Sequence, residues 1–211
     1  MRNPDWAAAF RASADAYDRH IGRYGPELAR ALCDAAFVRT GQRALDVGCG
    51  PGALAQLVVN FMSDPPAGVG EMARVTRPGG VVGCAVWDYA GQMTLLRCFW
   101  DAAVALDPAA APLDEGRSMP FCTPQDLAGL WSGAGLADVD VAAVEVGADY
   151  DGFEDLWLAL EAGVGPSGAY VLGLDIDGRA ALADGLQRRL RVGSRPFRLT
   201  ARAWVATGVR R

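Results

Sequence analysis

The segment Ala44-Leu45-Asp46-Val47-Gly48-Cys49-Gly50-Pro51-Gly52 holds the sharpest chemistry in the chain. A short apolar run, read as a buried strand over 44–47, feeds a turn built on Gly48, Gly50 and Gly52, with Cys49 between the first two. Glycines let the backbone turn tightly and approach a ligand closely, at the carboxyl end of a strand where α/β sheets bind small molecules. Gly48, Gly50 and Ala53 satisfy the GxGxxA form of a dinucleotide-binding turn. Asp46 points to a different ligand. A fixed negative charge two residues before the first glycine is awkward beside a pyrophosphate and useful beside a cation.

Several other chemistries are closed. His20 is the only histidine, so a Ser-His-Asp triad or a two-histidine metal site has at most that one residue to build on. All 20 cationic side chains are arginine, and the absence of lysine removes Schiff-base chemistry and a Walker-type phosphate loop. With isoleucine only at Ile21 and Ile176, the composition points to a GC-rich bacterial gene. The cysteines at 33, 49, 84, 98 and 122 form no CxxC pair and are odd in number, which fits reduced thiols in a cytoplasm. The first twenty residues lack the apolar core of a signal peptide, and no apolar run is long enough to span a membrane. The expectation is a soluble, cytoplasmic protein.

The chain has 211 residues, 51% apolar and 21% charged, enough for one domain that buries its core without disulfide or metal staples. Its net charge of -5 argues against general nucleic-acid binding. Residues 179–211 nevertheless hold nine arginines against the single acid Asp184. Apolar residues interleave those arginines at structural spacing, so they read as solvated faces of a helix and a strand rather than as an anion-binding arm.

The elements that must position the turn follow from periodicity. Helices are read over 4–19, 26–37, 66–77, 92–106, 124–132, 151–160 and 177–192. Thr123-Pro124-Gln125-Asp126 is a complete helix start, with a capping threonine, a proline in the first turn and an acid three residues on. Strands are read at 44–47, 81–87, 138–146 and 197–207. Val81 to Trp87 is apolar on both faces, as in the middle of a parallel sheet. The alternation gives an α/β layered domain with an antiparallel strand at its C-terminal end.

The combination Asp46-Val47-Gly48-Cys49-Gly50-Pro51-Gly52 resembles motif I of the class I S-adenosylmethionine-dependent methyltransferases. Residues 17–32 are similar to the segment that precedes motif I in the type 11, or UbiE-like, small-molecule group. Residues 55–89, with the turn Arg77-Pro78-Gly79-Gly80, look like that group's fourth strand, following helix and fifth strand. Residues 123–141 and 195–210 resemble its closing strands. The resemblance implies a Rossmann-like sheet within a single domain, carrying an N-terminal helical segment over 1–40 and a helical cap over 92–132 and 151–191. It implies S-adenosylmethionine as cofactor, held by Asp46, Gly48, Cys49, Gly50 and Gly52, with Tyr17 and Arg23 near its carboxylate. It also implies methyl transfer to a small-molecule acceptor.

One part of that pattern is missing. In the family a helix, a second strand ending in an acid and a third strand follow motif I; here residue 52 runs almost directly into the segment that resembles strand four. About 50 to 60 residues are absent, two βα units of ~30 residues each, leaving about five strands in place of seven. Only Gly48 to Ala53 separate Val47 from Leu54, and a parallel return needs at least roughly 10 to 12 residues. Residues 55–61 therefore cannot pair with 44–47 as in the family. Helix is favoured, because Leu54, Leu57, Val58 and Phe61 share one stripe, while Val58-Val59 and Phe61 keep the strand reading open. The missing acid accepts hydrogen bonds from both ribose hydroxyls, so its loss costs ~3 to 6 kcal/mol of cofactor binding, a factor of ~10² to 10⁴. Asp64 lies 18 residues after Asp46 but reads as the cap of the next helix. The bare edge of 44–47 predicts a homodimer.

Trp87, Trp100, Trp131, Trp157 and Phe99 stand at core spacing and could instead line an acceptor pocket. His20 reads as a packing or surface residue of an amphipathic helix. Two rival readings remain: a non-catalytic methyltransferase-like remnant that binds no cofactor, and an NAD(P)-dependent reductase that binds dinucleotide at the same turn.

Overall fold

The computed structural model describes residues 13–47 and 57–211. The turn from Gly48 to Gly52 lies outside the described residues. Nine helices are described: α1 (Ala14–Arg19), α2 (Gly25–Ala35), α3 (Pro65–Val75), α4 (Thr94–Leu106), α5 (Glu115–Ser118), α6 (Pro124–Gly133), α7 (Phe153–Glu161), α8 (Gly165–Gly173) and α9 (Ile176–Leu190). The strands described are β1 (Val81–Trp87), β2 (Leu136–Tyr150) and β3 (Phe197–Arg210), in one mixed α/β fold with β3 between β1 and β2. The chain divides into two compact units. Of the described residues, one holds 13–24, 89–118 and 147–201; the other holds 25–47, 57–88, 119–146 and 202–211.

In the second unit, β1 pairs antiparallel with β3, from Val81 opposite Val209 to Trp87 opposite Ala203. Side chains alternate across the pair. Val82, Cys84 and Val86 share a face with Gly208, Ala206 and Trp204, and Trp131 of α6 seats there, donating its Nε1–H to the Val82 carbonyl at 3.0 Å. The other face carries Gly83 and Thr207, where Leu32 of α2 lies against the strand. One helix on each face explains why β1 is apolar throughout. The reading of β1 as a strand inside a parallel sheet is corrected: its described partner is antiparallel, and the two-sided burial comes from α2 and α6.

The other unit is mainly helical. α4 packs on α9 and α8, and α7 on α8. Phe99 and Trp100 of α4 meet edge to face at 5.0 Å, both fully buried, and Leu156, Leu160, Leu182 and Leu186 complete that core.

Local signals place most boundaries. The Thr123 hydroxyl accepts from the Asp126 amide, and Asp64 from the Ala67 amide, each capping a helix whose first turn holds proline. α9 is capped by Asp175, two residues before the expected start. α7 begins after Gly152 without a side-chain cap; instead the Asp151 amide donates to Asp155. α8, α5 and a 3₁₀ stretch over Pro108–Leu113 were not legible in the periodicity. Residues 42–46 are not a strand. They run as irregular chain with Leu45 72% exposed, and the described sheet has three strands rather than about five. A strand needs neighbours to take its backbone hydrogen bonds, and the described sheet offers none to this segment. The apolar edge expected at 44–47 is therefore not an edge of the described sheet. The segment 57–61 is neither of the expected forms: Leu57 gives its N–H to Ala85 of β1, and Val59–Phe61 is a 3₁₀ turn.

Two glycines of this unit give opposite expectations. A Cβ on Gly208 meets Trp131 Cδ1 at 2.9 Å and Leu136 Cβ at 3.0 Å, whereas a Cβ on Gly70 of α3 meets nothing within 4 Å. Gly208→Ala should destabilise the chain by ~1–3 kcal/mol, and Gly70→Ala should stabilise it by ~0.5–1 kcal/mol. Urea midpoints of the two variants, moving in opposite directions, check the packing.

Candidate functional site

The sequence-derived site residues fall in both units. Asp46 is half-buried in the second unit, in the chain leading to the glycine turn. Gly48, Cys49, Gly50 and Gly52 lie outside the described residues. Tyr17 and Arg23 belong to the helical unit.

Arg23 is already engaged. Its Nη1 and Nη2 donate to the two carboxylate oxygens of Asp155 at 2.8 and 2.5 Å, Nη1 also to the Asp149 carbonyl at 3.0 Å, and Nε to the Arg19 carbonyl at 2.6 Å. The guanidinium lies over the Tyr150 ring, 4.7 Å from its centroid. Burial pulls the Arg23 pKa down, but the hydrogen bond and charge of Asp155 outweigh it and leave the pKa above its ordinary value. The same contact holds the Asp155 carboxyl below its usual range. A fork paired in this way is the geometry that binds a ligand carboxylate, here filled by the protein's own. Tyr17 is largely buried, and burial followed by the nearby Asp18 charge pushes its phenol up.

The second unit holds a residue the sequence reading missed. Asn60 sits in the 3₁₀ turn after the glycine-rich segment, on a turn packed against β1 and α3. It is 3% exposed, and neither its amide nitrogen nor its amide oxygen has a partner among the described residues. Each unmet buried polar group costs ~1–3 kcal/mol. The amide offers one donor and one acceptor side by side, the complement of a ligand carrying both. A signal was present: Asn60 is the one polar residue in the run from Leu57 to Phe61. At the carboxyl end of β1, Asp88 accepts from Arg202 at 2.6 and 2.9 Å, and Arg202 lies over the Trp204 ring at 4.8 Å. That acid is neutralised in place.

The aromatic candidates are framework. Trp87, Trp100, Trp131 and Phe99 are fully buried, and Trp157 stacks on Phe153. The arginines of residues 179–211 with partners among the described residues hold the framework together. Arg179 donates to the Leu172 and Leu174 carbonyls, Arg198 pairs with Asp149, and Arg210 donates to the Arg74 and Thr76 carbonyls. Among the described residues no group of His, Cys, Asp and Glu could hold a metal ion, and no helix is long and apolar enough to cross a membrane. No family model and no curated protein sequence matches the chain.

Two buried groups of the helical unit titrate in opposite senses. His20 is 2% exposed, with Nε2 3.5 Å from the Ser167 hydroxyl and Nδ1 without a partner among the described residues. Burial, then the Arg23 charge, lowers its pKa to about 4. Glu115 accepts from Trp100 Nε1 at 2.7 Å, and burial raises its pKa to about 7. For His20 the unfolded chain binds the proton more readily, so stability falls as pH drops from 6.5 towards 4. For Glu115 the folded chain keeps the proton longer, so stability falls as pH rises from 4.5 through 7. Between pH 4.5 and 6.5 the two slopes oppose. Glu115→Gln should leave stability rising with pH across this window, and His20→Asn should leave it falling, each by about 3 kcal/mol. Urea midpoints at pH 4.5, 5.5 and 6.5 check it, and parallel profiles for all three chains would refute the assignment.

Proposed function

We propose that this chain is a class I methyltransferase-like protein, with a truncated Rossmann-like sheet, that binds S-adenosylmethionine through its second unit. The observation that carries the reading is Asn60, a buried amide with unmet donor and acceptor, eight residues after a glycine turn preceded by Asp46. The fit is divided. Asp46 supplies the negative charge that a cationic ligand needs, the glycines supply bare backbone, and Asn60 supplies a paired donor and acceptor. Arg23 does not fit, because its fork is filled by Asp155.

When bound, the cofactor supplies a methyl group on a sulfonium. The residues of this chain orient and hold. Asp46 balances positive charge, and Asn60 gains the hydrogen bonds that the protein alone leaves unmade. Methyl transfer to a small-molecule acceptor needs alignment and exclusion of water more than an acid-base pair, so the lack of an exposed histidine is compatible with it. Without the ribose-binding acid, affinity falls by the ~10² to 10⁴ derived above from two lost hydrogen bonds.

A second reading, a remnant that binds no cofactor, is favoured by the Arg23–Asp155 pair and by the failure of 44–47 to join the described sheet. Calorimetry separates the readings. Heat on adding S-adenosylhomocysteine supports the methyltransferase, heat with NADPH a reductase, and heat with neither a remnant. Under the first reading, Asp46→Asn and Asn60→Leu should each weaken S-adenosylhomocysteine binding by roughly tenfold or more. Unchanged affinity in both variants would reject the site.

A further inference from the structure

A cleft of about 280 Å³ opens in the second unit between α3, the turn from α6 into β2, and the end of β3. It lies at the end of the β1–β3 ladder where Gly80 meets Arg210, opposite the end that carries Asp88 and Arg202. Its lining includes Gly70, Ala73 and Arg74 of α3, Gly135, Arg210 and Arg211.

The arginines are placed rather than merely present. Arg210 Nη1 donates to the carbonyls of Arg74 and Thr76 at the C-terminal end of α3, where a cation is favoured by the helix dipole. This fixes the guanidinium and leaves its Nε–H and Nη2–H edge without a partner among the described residues. That edge is two parallel donors, the fork that matches an oxyanion. Arg74 is held by Glu71 through Nε and Nη2, at 2.7 Å each, leaving Nη1. The Arg211 side chain has no partner among the described residues. Gly70 and Gly135 face open space, since a Cβ on either meets nothing within 4 Å, so the cleft floor admits a ligand close to the backbone. No acid is among the cleft's lining residues.

We infer that this cleft binds a phosphoryl group of a small phosphorylated ligand, held by the free edge of Arg210 together with Arg74 and Arg211. Three arginines lining one opening suit a dianion with three peripheral oxygens better than a single carboxylate. The inference is independent of the cofactor reading, which concerns Asp46 and Asn60.

The test is the melting temperature of the full chain titrated with inorganic phosphate, against sodium chloride at matched ionic strength. The expected result is a saturable rise with phosphate and none with chloride. Gly70→Leu fills the cleft while replacing a helix-interior glycine with a better helix former, so it should melt no lower than the parent without phosphate and show no rise with it. Arg211→Ala removes one guanidinium that holds nothing else and should weaken phosphate binding by roughly tenfold. No saturable rise in the parent chain, or parent-like binding in either variant, would overturn the inference.

Discussion

The antiparallel ladder between β1 and β3 is the constraint on which the second unit depends. It joins residues more than a hundred positions apart in sequence, Val81 with Val209 and Trp87 with Ala203, so none of its hydrogen bonds can form until both segments are in place. Both faces of the pair are then covered. α2 approaches through Leu32 against Gly83, and α6 through Trp131 against Gly208. The Trp131 indole satisfies the Val82 carbonyl as it fills that space, so one side chain supplies both packing and a buried hydrogen bond. Gly208 is small because Trp131 is large.

The turn that starts β1 is tied to the same ladder. Gly79 adopts φ +72°, which glycine takes without strain, and its amide donates to the Arg210 carbonyl while the Arg210 amide donates to Gly80. The Arg210 side chain then turns back to the carbonyls that end α3. Backbone and side chain of one residue thus close the strand pair and finish a helix. The arginine-lined cleft is a consequence of this closure, because the guanidinium is held by one nitrogen and presents the others.

Where the residues themselves carry punctuation, the fold was legible. Thr123-Pro124 and Asp64-Pro65 begin helices as their capping chemistry requires, and the seven apolar residues of β1 form a strand with the expected bounds. Where a segment's state is decided by partners, legibility ended. Residues 44–47 have the composition of a buried strand, but a strand needs neighbours, and nothing in the four residues says whether neighbours exist. Arg23 was readable as a carboxylate-binding fork, and it does bind a carboxylate; that the carboxylate is Asp155, 132 positions on, follows only from the packing of the helical unit. Asn60 was visible as a polar residue in an apolar run, and its burial without a partner needed coordinates.

The segment after the glycine turn shows how the short connection acts. Six residues between Val47 and Leu54 are too few for a parallel crossover, and among the described residues the segment makes one strand-like contact with β1, Leu57 to Ala85, before curling into a 3₁₀ turn. Leu57 holds φ +68°, a left-handed conformation that costs a residue with a Cβ about 1–2 kcal/mol. A full strand alongside β1 would relieve that strain by extending the backbone, and it would also carry Asn60 onwards along the β1 edge. Instead, among the described residues, the segment pairs with β1 at one bond, and three residues on Asn60 is buried with both amide atoms unmet. Under the proposed methyltransferase reading, the absence of a ribose-binding acid weakens cofactor binding and the unmet amide of Asn60 strengthens it, and affinity is set by how far the second effect offsets the first.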